Sequence, residues 1–196
     1  MNATRTARLA LAAATAVVLV ASGCGSSGGG GSSSSDASKT FSYQSSEPQN
    51  PLQPANANEV GGGRIIQNLF KGLVDYDPSN ATLRMQVADS IDTSDSQTFN
   101  VTLKSNWTFH DGTPVKSSNF VNAWNWAAAT TNNQLNSSWF SDIQGYADVH
   151  PESGEPTATT MSGLTVTDDT HFTIKLTTKV SYFEYKLGYI AFSPLP

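Results

Sequence analysis

The chain has 196 residues, with 11 Lys and Arg against 16 Asp and Glu, and only 14 % of it is charged. A formal net charge of −5, with no run of five or six like charges, excludes a basic nucleic-acid-binding surface and an acidic tail. The single cysteine excludes an internal disulfide, and the length accommodates one ordinary domain or part of a larger one.

The first 24 residues differ from the rest. Arg5 and Arg8 give a positive start, and Leu9 to Ala21 run apolar without charge. That run is too short to cross a hydrocarbon core of about 30 Å comfortably. Small residues and Cys24 follow in "VASGC", the layout of a secretory signal peptide over residues 1–23. The "ASGC" segment resembles a bacterial lipobox, whose cysteine is acylated and becomes the mature N-terminus. Ala21 stands where that pattern prefers leucine. The alternative is an ordinary signal peptide with an incidental cysteine. Residues 24–39 are almost wholly Gly and Ser, a composition that forms a flexible tether. Removing residues 1–23 takes away two arginines and no acid, so the side-chain charge falls from −5 to −7. Such a body is not drawn to anionic lipid, and a lipid at Cys24 would be the anchor.

From Thr40 the sequence becomes globular. "TFSYQ" alternates Phe41 and Tyr43 with polar residues and predicts a short half-buried strand. "SSEPQNPLQPANAN" reads as an irregular loop. Ile65, Ile66, Leu69, Phe70 and Leu73 fall at helical spacing, followed by a strand over Leu73 to Tyr76 and a turn at Asp77-Pro78-Ser79-Asn80. Gly61 to Gly63 precede that helix and invite comparison with a phosphate loop. They lack both a strong preceding strand and a Lys-Ser or Lys-Thr ending.

Two strands follow in "QVADSIDTSD" and "QTFNVTLK", with Phe99, Val101 and Leu103 on one face. In "NWTFHDGTPV", Trp107 and Phe109 read as the core-facing end of a strand before a turn at Asp111-Gly112-Thr113-Pro114. Ser117 or Ser118 is then the expected N-cap of a helix that buries Phe120, Val121, Trp124, Ala127 and Ala128. Trp126 falls off that face. A polar excursion carries Trp139, Phe140 and Tyr146, and a hairpin of "LTVTDD" and "HFTIKLTT" turns at Asp168-Asp169. No internal repeat is visible, and the fold class is α+β.

Little in the chain points to catalysis. His110, His150 and His171 lie in separate segments without a second His or Cys at metal-ligand spacing, so neither a metal site nor a cofactor is expected. There is no Gly-x-Ser-x-Gly elbow. Asp168 and Asp169 are expected to accept local backbone bonds in a turn, and a general acid/base pair would have to converge across a cleft. The expectation is a protein that is not an enzyme.

Four segments, "LFKGLVDYDPS", "TFNVTLKSNWTFHDGTPVKSSNFVNAWNWA", "GLTVTDDTHFTIKLTTKVSYFEYKL" and "FSPLP", together resemble one family in the correct order. They are similar to extracytoplasmic solute-binding proteins of peptide-type ABC importers, the oligopeptide- and dipeptide-binding group, from Phe41 to Pro196. The resemblance implies the bilobal type II periplasmic-binding-protein fold with its extra domain. Residues 40–70 would be the first segment of the main ligand-binding lobe, and residues 71–196 the smaller domain. Family members are several hundred residues longer, so the chain is expected to stop before the second lobe. The resemblance also implies a peptide ligand, partnership with a permease and an ATPase, and a place outside the bacterial cell membrane. By position, Asn58, Glu59 and Val60 correspond to a ligand-lining loop, and Asn136 and Trp139 to a second wall. The family commonly carries an acid where Asn58 stands, and plain loop packing is the alternative for all five. A sensory surface lipoprotein, or a receptor for a nickel chelate or sugar, would keep the same fold; a secreted hydrolase or adhesin is the third possibility.

Overall fold

The computed structural model describes residues 42–196. The expected signal peptide (1–23), the expected acylation site Cys24 and the expected tether (24–39), with Thr40 and Phe41, lie outside the described residues. The helices and strands along the chain are α1 (Val60–Leu69), β1 (Val74–Tyr76), β2 (Leu83–Met85), β3 (Ala88–Asp92), β4 (Thr98–Leu103), α2 (Ser117–Ala128), α3 (Tyr146–Val149), β5 (Leu164–Val166), β6 (His171–Lys175) and α4 (Phe183–Lys186). Short 3₁₀ turns occupy Thr130–Asn132, Ser137–Phe140 and Ile190–Phe192.

Period-two alternation builds the central sheet. β3, β4, β6 and β5 lie side by side in that order, all antiparallel. Phe99 sits opposite Ile174, and Val101 opposite Phe172. These four and Leu103 are buried on one face, while Asn100 and Thr173 take the other face and share a hydrogen bond. β1 and β2 form a separate two-stranded ribbon. The helical period of α2 places Phe120, Trp124, Ala127 and Ala128 in the same core. Its alanines favour the helix and let it pack closely.

Trp124 is the centre of this core, with no exposed surface. Its ring meets Phe172 at 5.7 Å and Phe192 at 5.2 Å, both edge-on, and Phe140 meets Phe192 at 4.9 Å. The indole Nε1–H donates to the Phe192 carbonyl at 3.0 Å. Sheet, helix, polar excursion and C-terminal segment therefore converge on one side chain. A smaller cluster of Ala57, Ile66 and Ile190 holds α1 separately.

Several expectations are corrected. Of the strand expected in "TFSYQ", the described residues 42–44 are not in a strand, and Tyr43 is 65 % exposed. Gly61–Gly63 lie within the first turns of α1 rather than before it. Neither Ser117 nor Ser118 caps α2: Lys116 is the N-cap residue. The Asn119 Oδ1 turns back to accept the Lys116 N–H at 2.8 Å, and Ser117 is buried as the first helical residue. Trp107 and Phe109 are only half-buried, because the chain leaves the sheet after Leu103. They belong to a tight hairpin in which Phe109 N–H donates to Thr113 O at 2.8 Å and Val115 N–H to Trp107 O at 3.0 Å. Gly112 takes a φ of 87° at its tip, which favours glycine. The stretch is a self-contained turn before α2, and β2 is an additional strand that the sequence reading did not identify.

The Trp124 geometry separates packing from hydrogen bonding. Trp124→Ala is expected to cost about 3–5 kcal/mol. Trp124→Phe keeps most of the ring but strands the Phe192 carbonyl, and is expected to cost about 1–3 kcal/mol. Urea unfolding followed by circular dichroism measures both; a Trp124→Phe variant as stable as wild type would show that the indole bond contributes nothing, and equal costs would show that the packing of the ring contributes nothing beyond it.

Candidate ligand-facing wall

The N-terminus of α1 is built by a carboxylate and by glycines that allow close approach. Glu59 is the N-cap, and its two oxygens lie 3.0 and 2.9 Å from the Gly62 N–H. This satisfies an otherwise orphaned donor and places negative charge at the positive end of the helix. A Cβ on Gly62 would stand 2.3 Å from that carboxylate, and one on Gly61 would stand 2.5 Å from the Ser46 carbonyl. The glycines thus serve packing, and the helix end is occupied by the chain's own acid. Glu59 also accepts the Gln49 N–H at 3.3 Å, and Asn58 Oδ1 accepts from Asn50 at the same distance.

The polar excursion after α2 comes back to this loop through Asn136, which is 4 % exposed. Its backbone N–H donates to Ala55 O at 2.9 Å and its Nδ2 to Ala57 O at 3.1 Å. Its Oδ1 accepts the Tyr189 hydroxyl at 3.3 Å. Tyr189 stacks on Trp139, with centroids 3.9 Å apart and planes 18° apart. The Lys186 ammonium lies 5.7 Å from the Trp139 ring and is bonded to Asp142. Burial pushes the Tyr189 phenol above its ordinary pKa, and the bond to Asn136 opposes that shift.

The five sequence-predicted residues therefore meet in two ranks. Asn58, Glu59 and Val60 line an open cleft of about 400 Å³ with Tyr189, Arg64 and Gln67, and Val60 is 65 % exposed. Asn136 and Trp139 stand behind Tyr189 and do not line that cleft. Tyr189 escaped the sequence reading because its stacking partner is 50 residues away, and no periodicity links them. Arg64 and Gln67 could have been found from their spacing on the outer face of α1. Chemically the cleft offers one cation, one carboxylate, amides, a phenol and an apolar edge, suited to an extended polar ligand held from one side.

The carboxylate and histidine candidates resolve into a turn. Asp168 accepts the Thr170 and His171 N–H groups at 2.8 and 2.9 Å and lies 2.9 Å from His171 Nδ1. Asp169 pairs with Lys116 at 2.8 Å. His150 stacks on Tyr146, with Nδ1 2.8 Å from the Ala128 carbonyl. His110 is exposed in the 107–115 hairpin.

The arrangement of sheet, α2 and returning C-terminal segment is that of periplasmic solute-binding proteins. The murein tripeptide-binding protein MppA of Escherichia coli superposes with a TM-score of 0.69 at 24 % identity, over 78 % of this chain and 30 % of its own. OppA of Listeria monocytogenes, solved with bound peptide, gives 0.70 at 19 % over the same shares. OppA of Haemophilus influenzae, solved with the peptide RPPGFSPFR, gives 0.67 at 24 % over 76 % and 29 %. A model of the bacterial extracellular solute-binding proteins, family 5, middle region, matches residues 82–196, and the chain belongs to that family. A binding protein of Haemophilus influenzae is 34 % identical over 73 residues, which are 37 % of this chain and 14 % of that protein. The chain thus spans less than a third of the length of these relatives. Its fold is the corresponding part of the type II periplasmic-binding-protein architecture.

The turn geometry carries a pH prediction. The Thr170 N–H and then His171 hold the Asp168 pKa down, to about 2. A lowered carboxyl pKa stabilises the fold above the unfolded value of about 4, and that contribution is lost as pH falls through the folded value. Carboxyl-detected NMR is expected to show a midpoint near 2 that rises in His171→Ala. A wild-type midpoint near the ordinary value would contradict the turn.

Proposed function

We propose that this chain supplies one wall of the ligand cleft in a lipid-anchored receptor that captures peptides outside the membrane and delivers them to an ABC permease and its ATPase. The observation carrying this reading is the Asn136 junction. It ties the 55–60 loop to the excursion and brings Asn58, Glu59, Val60 and the Trp139–Tyr189 stack together. The relatives solved with peptides support peptide as the ligand class. A peptide held there would be bound through its main chain, with hydrated space for varied side chains. In this reading residues 40–70 begin the main lobe and residues 71–196 form the smaller domain. Cys24 would be acylated, the 24–39 tether would hold the body at the outer face of the cell membrane, and the task would be capture without chemistry.

A sensory role on the same fold is the second reading, favoured by similarity to PrgZ, described as a pheromone receptor, with a TM-score of 0.69 at 20 % identity. Co-purification with permease subunits separates the two.

Mass spectrometry of small molecules released from the protein purified from its native membrane is expected to find peptides. Recovery of only a metal chelate or sugar would overturn the peptide assignment. Radiolabelled palmitate is expected to enter the wild type and not Cys24→Ser; equal labelling of both refutes the anchor.

A further inference from the structure

Trp126 has no part in the core. It lies off the buried face of α2 and is 39 % exposed, while its neighbours Asn125 and Ala127 are buried. A polar contact fixes what surrounds it. The Trp126 carbonyl accepts Asn132 Nδ2 at 2.7 Å, which holds the Thr130–Asn132 turn against the helix end. Across from this turn, the Asp148 carbonyl accepts the N–H groups of Thr157 and Ala158 at 2.8 and 3.1 Å, fixing the loop after α3. Between them is a groove of about 610 Å³ that shares no lining residue with the Asn58–Tyr189 cleft.

No ionisable side chain borders the groove. It contains the indole, two amides and three threonines, with alanine and proline between them. Asn125 uses its Oδ1 to accept the Met161 N–H at 2.7 Å, and Asn132 uses its Nδ2 on Trp126. Among the described residues, Asn125 Nδ2, Asn132 Oδ1 and the hydroxyls of Thr131, Thr157 and Thr159 bond to no protein group. Neutral donors and acceptors therefore flank one flat apolar surface.

We propose that this groove is a binding site for a neutral saccharide of one or two sugar units. A sugar ring has an apolar C–H face that can lie on the indole, and its rim of hydroxyls both donates and accepts. The five free polar groups match that rim without any charge to balance. An anion or a peptide terminus would find no counter-charge here, and a hydrocarbon chain would leave the amides and hydroxyls buried and unpaired. The volume falls in the range of about 300–1,000 Å³ usual for small-molecule sites. This site is independent of the peptide-binding reading, since it uses different residues.

The test is NMR of the ¹⁵N-labelled full chain, following the Trp126 indole Nε1–H while cellobiose, maltose and chitobiose are titrated separately, with trialanine as the peptide probe. At least one disaccharide is expected to shift that resonance saturably in the millimolar range. The affinity is expected to fall at least tenfold in the near-isosteric double variant Thr157→Val/Thr159→Val, read from the same indole resonance, and in Trp126→Ala, read from the backbone amides of Thr131 and Ala158 that line the groove. The proposal is overturned if no disaccharide gives a saturable shift, if trialanine alone does so, or if the double variant binds as well as wild type. None of these outcomes bears on peptides recovered from the Asn58–Tyr189 cleft.

Discussion

The bond from the Trp124 indole to the Phe192 carbonyl, set within its ring of phenylalanines, is the constraint on which the other contacts rest. A tryptophan buried this deeply needs a partner for its N–H, and here the partner lies 68 residues away in the returning chain. Holding Phe192 fixes the 3₁₀ turn Ile190–Phe192. That turn places Ile190 against Ile66 in the small cluster. It also sets Tyr189 where it can stack on Trp139. Core packing on one side of the molecule thereby determines the surface on the other.

The wall inherits its order from that arrangement. Its parts come from three distant stretches: the 55–60 loop, the excursion after α2, and the segment after α4. Each would be irregular alone. Asn136 is the buried polar residue that joins all three, and every polar group of its side chain is used. A buried amide with this many obligations tolerates few alternatives, since an unpaired group at this depth is costly. The adjoining cation–π and ion-pair contacts of Lys186 support the stack from behind.

The regular parts of this fold were legible in the sequence because their patterns are periodic. Phe99, Val101 and Leu103, and Phe172 and Ile174, alternate as a half-buried sheet requires, and α2 repeats its apolar residues at helical spacing. Local chemistry misled where two options competed. A serine next to a helix start suggested a cap, yet Asn119 reached the backbone first and Ser117 went inside. Trp107 and Phe109 alternated like a strand, but the two bonds of their own hairpin outweighed sheet pairing. The resemblance pointed to Asn58–Val60, Asn136 and Trp139. Tyr189 was invisible because stacking between residues 50 apart leaves no trace in spacing.

The self-capped end of α1 has a consequence for ligand choice. The positive pole of a helix usually welcomes an anion, but here Glu59 has already taken that place. The wall therefore meets an incoming acidic group with a carboxylate where a bare helix end would attract it. A serine at position 59 could still cap the helix through its hydroxyl while deleting the negative charge. The negative charge of this cleft, set against the cation of Arg64, thus rests on a single side chain and is separable from the packing that holds the helix in place.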